Sequence, residues 1–283
     1  RSDDALSACW TSLPINNDIH LLGAPRMKFV LTSDQPQAQI AVRLNHIHPD
    51  GASTRITYGV LNLSHRISSE YPTPMPLEVT EEIEIILDHI GYTVPAGHRI
   101  RVAVSNAYWP LLWPSPTKTN LKINYGELTL PHPDTHVERP IFSPPEAAPS
   151  WKTKELRPEK HHRKQEVNQV TGITSLIIKK NPKTKLIIKD DFGKVCDMEH
   201  GLINGSVAHE HWQIHPDEPL SAKGECHWTD ELERDGICLR TEAHCRMWSD
   251  QNNFYLCASI EAYENNKLIY NRSLTDQISR DNM

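Results

Sequence analysis

The chain has 283 residues, of which 38% are hydrophobic, and a formal net charge of −6. This length is enough for two domains of ordinary size. The acidic balance argues against nucleic acid as a partner, because a phosphate-binding surface needs excess lysine and arginine. The sequence contains no apolar run long enough to form a transmembrane helix, so no membrane partner is expected.

The first part of the chain shows the two-residue alternation of half-buried strands. Turns such as Pro49-Asp50-Gly51 separate these segments. Short antiparallel strands at this density predict an all-β fold, a jelly-roll (galactose-binding-like) sandwich over residues 1–131. The predicted strands cover residues 7–13, 18–22, 27–33, 38–45, 55–61, 83–87, 99–104 and 121–125.

Alternation stops in the next stretch, where prolines and charged residues dominate. Residues 132–170 are predicted to form either a proline-rich charged linker or an extended strap lying over both domains. The lysines and arginines between Trp151 and Val170 are interpreted as a solvated tether rather than as a binding patch.

Alternation returns near Thr171 and predicts a second antiparallel, β-sandwich-like domain over residues 171–283. In the longest segment, Ile237, Leu239 and Ala243 fall on one face, whereas Arg240 and Glu242 fall on the other. No helix of more than two turns is predicted. The predicted strands cover residues 174–180, 185–191, 208–214, 222–228, 237–248, 253–264 and 267–274, with a hairpin turn at 179–183.

The six cysteines form no Cys-x-x-Cys motif and are scattered, so free thiols in a reducing compartment are expected. A single bridge between Cys238 and Cys257 stays open, because the two residues are predicted to lie on neighbouring strands. The expected location is the cytoplasm.

Neither a catalytic nucleophile nor a cofactor is predicted. Gly-x-Ser-x-Gly, the motif of the turn that exposes a hydrolase serine, does not occur. Two His-x-His pairs, at His46 and His48 and at His209 and His211, place both imidazoles on one side of a strand. Sixteen histidines produce such pairs by chance, so no metal site is predicted, although His209 and His211 are the better candidates.

The segment Trp109-Pro-Leu-Leu-Trp113-Pro-Ser-Pro is the densest aromatic loop. Tryptophans flanked by prolines suit a permanent interface, because a rigid loop loses little entropy on docking. An aromatic platform for carbohydrate is the alternative. Packing against another domain is favoured.

Three motifs in order resemble a known family: Gly59-Val-Leu-Asn-Leu-Ser-His-Arg66, Pro95-Ala-Gly-His-Arg-Ile-Arg-Val-Ala-Val-Ser105 and the Trp109 loop. Together with residues 40–51, they are similar to the C-terminal jelly-roll domain of the CocE/NonD hydrolases, the family of cocaine esterase and X-prolyl dipeptidyl peptidase. The resemblance is clearest over residues 18–131. Residues 214–222, 260–264 and 278–281 resemble the extended tail of longer members.

In that family the catalytic Ser, Asp and His lie in an α/β-hydrolase domain N-terminal to the jelly roll. The resemblance therefore implies that this chain is the non-catalytic last part of a serine hydrolase that cleaves an ester or amide bond. Its implied role is to pack on the catalytic domain and shape the pocket, and its oligomeric state is open. The candidate interface or pocket-wall residues are Trp109, Trp113, Asn62, His65 and Arg66. The rival hypothesis is a free-standing carbohydrate- or protein-binding β module.

Overall fold

The computed structural model describes residues 2–134, 141–167, 184–215 and 217–283. It divides into two compact units, Arg1–Phe142 with Asn282–Met283, and Ser143–Asp281. Both are built from antiparallel sheets, which confirms the predicted all-β fold class. The described helices are a short turn, α1 (Ser2–Ala5), and one 3₁₀ turn at Leu63–His65, and no described helix is long and apolar enough to cross a membrane.

The described strands of the first unit form three sheets, with the orders β1-β8-β4-β5, β6-β3-β9 and β2-β7. The eight predicted strands are all present, and β7 is an addition. Its Ile-Gly-Tyr-Thr-Val sequence is rich in strand-forming residues, but it has only five residues and Gly91 interrupts the alternation. The strands are β1 (Ala8–Thr11), β2 (Ile19–Gly23), β3 (Arg26–Ser33), β4 (Gln39–Ile47), β5 (Ser53–Asn62), β6 (Glu81–Ile86), β7 (Ile90–Val94), β8 (Arg99–Ser105) and β9 (Leu121–Thr129).

One hydrophobic core joins the two larger sheets of this unit. Phe29 and Leu31 enter it from β3, and Ile40, Val42 and Leu44 enter it from β4. Two sheets packed across a shared core form a sandwich, as predicted. The jelly-roll connectivity stays a prediction.

Strand β4 lies in the middle of its sheet and is buried on both faces. Its inner face supplies core side chains, whereas its outer face carries Arg43 and Asn45, each only 3% exposed. A buried guanidinium needs a charged partner, because an unpaired charge in a low-dielectric interior is costly.

Asp4 of α1 supplies that partner. One carboxylate oxygen lies 3.6 Å from Arg43 Nη2 and accepts a hydrogen bond of 2.9 Å from Asn45 Nδ2. The other accepts bonds from Ser53 Oγ at 2.9 Å and Arg101 Nη1 at 3.1 Å. Burial by itself would raise the pKa of Asp4, but these hydrogen bonds and the two guanidinium charges hold that pKa below its usual value.

The second unit contains one hydrogen-bonded antiparallel sheet of eight strands in the order β10-β12-β13-β14-β15-β16-β17, with β11 also paired to β12. The predicted second antiparallel domain is confirmed, but its described strands form one sheet rather than the two of a simple sandwich. The strands are β10 (Thr153–Arg157), β11 (Lys160–Val167), β12 (Thr184–Asp197), β13 (Ile203–His215), β14 (Glu218–Arg234), β15 (Ile237–Ser249), β16 (Asn253–Glu264) and β17 (Lys267–Ser279).

The linker or strap predicted for residues 132–170 is wrong for its second half, because β10 and β11 belong to this sheet. Acidic neighbours compensate their positive charge. Arg157 forms ion pairs of 3.0 Å with Asp191 and 2.9 Å with Glu231, and His161 lies 3.2 Å from Asp190. The strand predicted at 174–180 and the hairpin at 179–183 lie outside the described residues.

The apolar side of the second sheet is largely open to solvent. Leu232 of β14 faces Leu239 of β15 across the ladder, and Ala258 of β16 faces Leu274 of β17. Leu239 is nevertheless 43% exposed and Leu274 is 52% exposed. Alternation predicted the strands correctly but did not reveal that this apolar face has no cover within the described unit.

The six cysteines are free. Cys238 and Cys257 lie on the neighbouring strands β15 and β16, as predicted, but Cys257 pairs in register with Arg246, eight residues from Cys238. The cysteines that face one another are Cys226 and Cys245.

We expect Asp4→Asn to lower the free energy of unfolding by about 2–3 kcal/mol at pH 7, because it removes the carboxylate charge that lies 3.6 Å from the buried Arg43 guanidinium. The pKa of Asp4 is lowered on folding, so its contribution is fully present above the ordinary value of 3.8 and is lost as the pH falls through the folded pKa. Urea unfolding of both proteins should therefore show a difference that shrinks at acidic pH. Glu84→Gln, which removes a surface pair with Arg26, is the control and should cost less than about 1 kcal/mol. A pH-independent difference would contradict the assignment.

We also expect chymotrypsin to cut the native chain first after Phe142, which is 82% exposed in a segment without strands at the boundary of the two units. Mass spectrometry should find fragments ending at Phe142 and beginning at Ser143, and Phe142→Ser should slow this cut. Trypsin should spare Lys154 and Arg157, because both lie in β10. Early tryptic cleavage at these residues would show that β10 is not held in the sheet.

Candidate functional site

The candidate interface residues lie at one end of the four-stranded sheet. Asn62, at the end of β5, pairs with Gln39 at the start of β4. Ser105, at the end of β8, pairs with Ala41 on the other side of β4. The loops that follow Asn62 and Ser105 therefore leave the same end of the sheet, and residues far apart in sequence meet there.

The Trp109 loop presents two aromatic rings on a rigid base. The rings of Trp109 and Trp113 lie 5.3 Å apart at 70°, an edge-to-face contact, and both side chains are half-buried. Pro114 and Pro116 are buried, whereas Leu111 is 52% exposed. The prolines thus anchor the loop, and the apolar side chains at its tip remain partly accessible.

Tyr108 fixes the base of this loop. Its hydroxyl accepts a hydrogen bond of 2.7 Å from Arg55 Nη1, and the Arg43 guanidinium lies 5.2 Å from its ring centre. Tyr58 meets the same ring edge-on at 6.3 Å. Sequence reasoning missed Tyr108, although its place directly before Trp109 was a local signal, and only the fold brings Arg43 and Arg55 to it.

The other candidates hold the neighbouring loop. Asn62 caps the 3₁₀ turn through a 3.1 Å bond from Ser64 N to its Oδ1. Arg66 donates to the carbonyls of Leu63 and Thr73 at 3.1 and 2.9 Å and lies 3.4 Å from Glu81. His65 is half-buried. Asn62 and Arg66 therefore act as internal braces, and the two tryptophans are the better surface candidates.

A second feature of the first unit is an apolar cleft of about 270 Å³ between the sheet edges. It is lined by aromatic and aliphatic side chains, among them Trp10 and Tyr125, which are 50% and 57% exposed. Asn124 also lines it. This cleft could not be recognised from the sequence, because its walls come from strands that are distant in sequence.

The two histidine pairs lie in different surroundings. His209 and His211 lie on β13 and share a cleft with His227 and His244. In that cleft, His244 Nε2 lies 2.7 Å from Glu225 Oε1. The other pair, His46 and His48, is joined by His98, and among the described residues this trio forms the one group whose ligand atoms all lie within 4.8 Å of each other.

The thiols near these features are not activated as nucleophiles. Burial, followed by the charge of Glu210, raises the pKa of Cys226. Desolvation and the Asp4 carboxylate raise the pKa of Cys9. A raised pKa keeps a thiol protonated at neutral pH and therefore unreactive.

The first unit, with its three sheets and its bracing loops, is a β-sandwich domain. Residues 1–156 match the family described as the X-Pro dipeptidyl-peptidase C-terminal non-catalytic domain, and the chain belongs to this family. The family-level resemblance given by the sequence motifs is thereby confirmed.

Two mycobacterial proteins are similar to part of the chain. Proteins of Mycobacterium bovis and Mycobacterium tuberculosis, both described as "Putative serine esterase", are 27% identical to it in a 124-residue alignment that covers 38% of this chain. The chain spans about a fifth of the length of these curated relatives, 20% in each case.

Solved structures share limited similarity. A selenomethionine-labelled α-amino acid ester hydrolase matches 45% of this chain and 25% of its own, with 16% identity and a TM-score of 0.43. An aminopeptidase from a marine sediment Thaumarchaeota archaeon matches 41% and 20%, with 20% identity and a TM-score of 0.38. A CocE/NonD family hydrolase from Staphylococcus aureus matches 36% and 23%, with 17% identity and a TM-score of 0.33. At these TM-scores the similarity carries no argument about activity.

We expect the purified chain to show no reaction with a fluorophosphonate probe and no hydrolysis of activated esters above the buffer rate, because the matched family is non-catalytic. Intact-mass analysis after labelling should show only the unmodified protein, with an active serine esterase labelled in parallel as a control. Stoichiometric labelling of one serine would contradict the assignment.

Proposed function

We propose that this chain is the accessory part of a serine hydrolase and that its first unit packs on a catalytic domain of α/β-hydrolase type in the same protein. In that position the Trp109 loop helps to wall the substrate pocket. The observation that carries the proposal is the pair of half-exposed tryptophans on a loop that Tyr108, Arg55 and buried prolines hold rigid.

The exposed apolar parts of this loop are unfavourable in water. An aromatic side chain buries roughly 150–250 Å² when it is fully covered. At about 25 cal/mol per Å², covering the exposed part of two half-buried indoles is worth several kcal/mol as an upper bound. Because the loop is already held in shape, little conformational entropy opposes docking.

The second unit supports the same conclusion on independent grounds. One face of its sheet exposes large aliphatic side chains: Leu232 lies directly opposite Leu239, and Ile260 and Leu274 lie farther along the same face. Large apolar side chains exposed on one face of a sheet are typical of a surface that another part of a protein covers. An accessory region that belongs to a larger protein accounts for this exposure.

The family and its relatives support the proposed reaction class. The family name refers to a peptidase, and the matched mycobacterial proteins are described as esterases. We therefore propose that the catalytic domain is a serine hydrolase that acts on an ester or amide bond. This chain shapes the cleft and contributes none of the reacting groups.

A carbohydrate-binding module is the second candidate, and one observation favours it. The cleft lined by Trp10, Tyr125 and Asn124 combines two exposed rings with an amide, a composition suited to a sugar. The Trp109 loop is less suited, because rings at 70° do not form a flat platform.

The test is Trp113→Ala in the full-length gene product that contains this chain. Loss of one interface ring should lower the melting temperature by several degrees and reduce kcat/KM for an activated ester, because the pocket wall loosens. In the isolated chain the same substitution should change the melting temperature by much less, because the partner surface is absent.

Tyr125→Ala is the matched control, since it removes an exposed ring of the same unit away from the loop. It should leave hydrolysis unchanged in the full-length protein. A large loss of stability for Trp113→Ala in the isolated chain would show that Trp113 is part of the core and would contradict the interface. Saturable oligosaccharide binding that Tyr125→Ala abolishes would favour the carbohydrate alternative.

A further inference from the structure

Three histidines converge at the end of β4 opposite the Trp109 loop. His46 lies near the end of β4, and His48 follows two residues later, so both project to the same side. His98 directly precedes β8, and the β4–β8 register pairs His46 with Ile100 and Ile47 with Arg99. Two strands far apart in sequence therefore bring three imidazoles together.

The rings are close enough to share one ligand. His46 Nε2 lies 2.6 Å from His98 Nδ1, and the ring centres of His46 and His48 are 4.1 Å apart. The ring centres of His48 and His98 are 5.5 Å apart. Each ring offers one nitrogen, and the three nitrogens lie within 4.8 Å of one another.

Hydroxyl groups orient two of the rings from outside. His46 Nδ1 lies 2.8 Å from Tyr92 Oη, and His48 Nε2 lies 3.1 Å from Thr54 Oγ1. With these nitrogens engaged, His46 Nε2 and His48 Nδ1 remain for a ligand. Such outer hydrogen bonds are typical of metal-binding histidines, because they fix the ring orientation and the tautomer.

The backbone around the cluster is also fixed. The turn after β4 is closed by bonds of 2.8 Å from His48 N to Ala52 O and from Gly51 N to His48 O. Bonds of 3.2 Å from His98 N to Pro95 O and 2.9 Å from Ile15 N to His98 O hold the other loop. The cluster is therefore built on a strand and two closed turns rather than on a mobile segment.

We propose that His46, His48 and His98 bind one divalent transition-metal ion, with Zn²⁺ as the ion that fits a three-imidazole set best. His46 is 3% exposed, whereas His48 and His98 are half-exposed. The three imidazoles thus occupy three coordination positions of the ion. The fourth position faces solvent and stays open for water or a small anion.

Binding needs a small local change. Tetrahedral Zn²⁺ with Zn–N distances near 2.05 Å places ligand nitrogens about 3.3 Å apart. His46 Nε2 and His98 Nδ1 must therefore separate by about 0.7 Å. In the hydrogen bond between His46 Nε2 and His98 Nδ1, one of the two nitrogens carries a proton. When the ion binds, that proton moves to the other nitrogen of the same ring, so the ring stays neutral. The lone pairs of His46 Nε2 and His98 Nδ1 then both face the ion, and no proton is lost from the protein.

The test uses the whole chain without an affinity tag, freed of metal by a chelator and titrated with ZnCl₂ in a calorimeter. We expect one equivalent to bind, and we expect His48→Gln and His98→Gln each to weaken binding at least about tenfold. Both residues are half-exposed, so these variants should fold, which circular dichroism checks. His89→Gln, an exposed histidine of the same unit, is the matched control and should bind as the parent does.

Co²⁺ identifies the ligands independently, because its visible spectrum reports coordination geometry. Tetrahedral bands that disappear in His98→Gln would support the site. Unchanged binding in His48→Gln and His98→Gln would overturn the proposal, as would the absence of binding. If binding is lost only in a His209→Ala and His211→Ala double variant, the metal lies on the second unit and the proposal is wrong. A sulfur-to-cobalt charge-transfer band would likewise contradict it, because it would show that cysteines bind the metal.

Discussion

The first unit depends on the compensation of one buried charge. Arg43 lies on the outer face of β4, where water cannot solvate it, and the Asp4 carboxylate neutralises it. The same carboxylate binds Asn45, Ser53 and Arg101, so it ties α1 to three strands of the sheet. Arg43 also lies under the Tyr108 ring, which links this ion pair to the base of the Trp109 loop. Removing the charge would therefore disturb both the sheet and the candidate interface.

The two units use charge in different ways. In the first, the Asp4 carboxylate pairs with buried polar groups of β4, and the rest of β4 packs among aliphatic side chains. In the second, long strands are stabilised mainly by ladder hydrogen bonds and by cross-strand pairs such as Arg157 with Asp191 and Glu231. Ion pairs that are only partly buried contribute modestly one by one, so the second unit depends mainly on the extent of its sheet.

Alternation in the sequence was enough to predict most strands, because a half-buried strand must alternate apolar and polar residues. It was insufficient for β10 and β11, whose side chains are polar on both faces and whose pairing depends on acidic residues in β12. It also could not identify the histidine trio, since His98 joins His46 only through the β4–β8 register. The Trp109 loop was found because its composition is unusual locally, whereas its anchoring by Arg55 requires the fold.

Strand β4 sets the distance between the two ends of its sheet. Its nine residues span roughly 26 Å at about 3.3 Å per residue. That length is about three times the Debye length of roughly 8 Å at physiological ionic strength. At that separation even two unit charges would interact by less than about 1 kcal/mol at an effective dielectric constant of about 20. A mechanical displacement of β4 is therefore the main way in which the two ends can respond to each other. Since β4 is close-packed on both faces, such a displacement would have to move the whole sheet as one body.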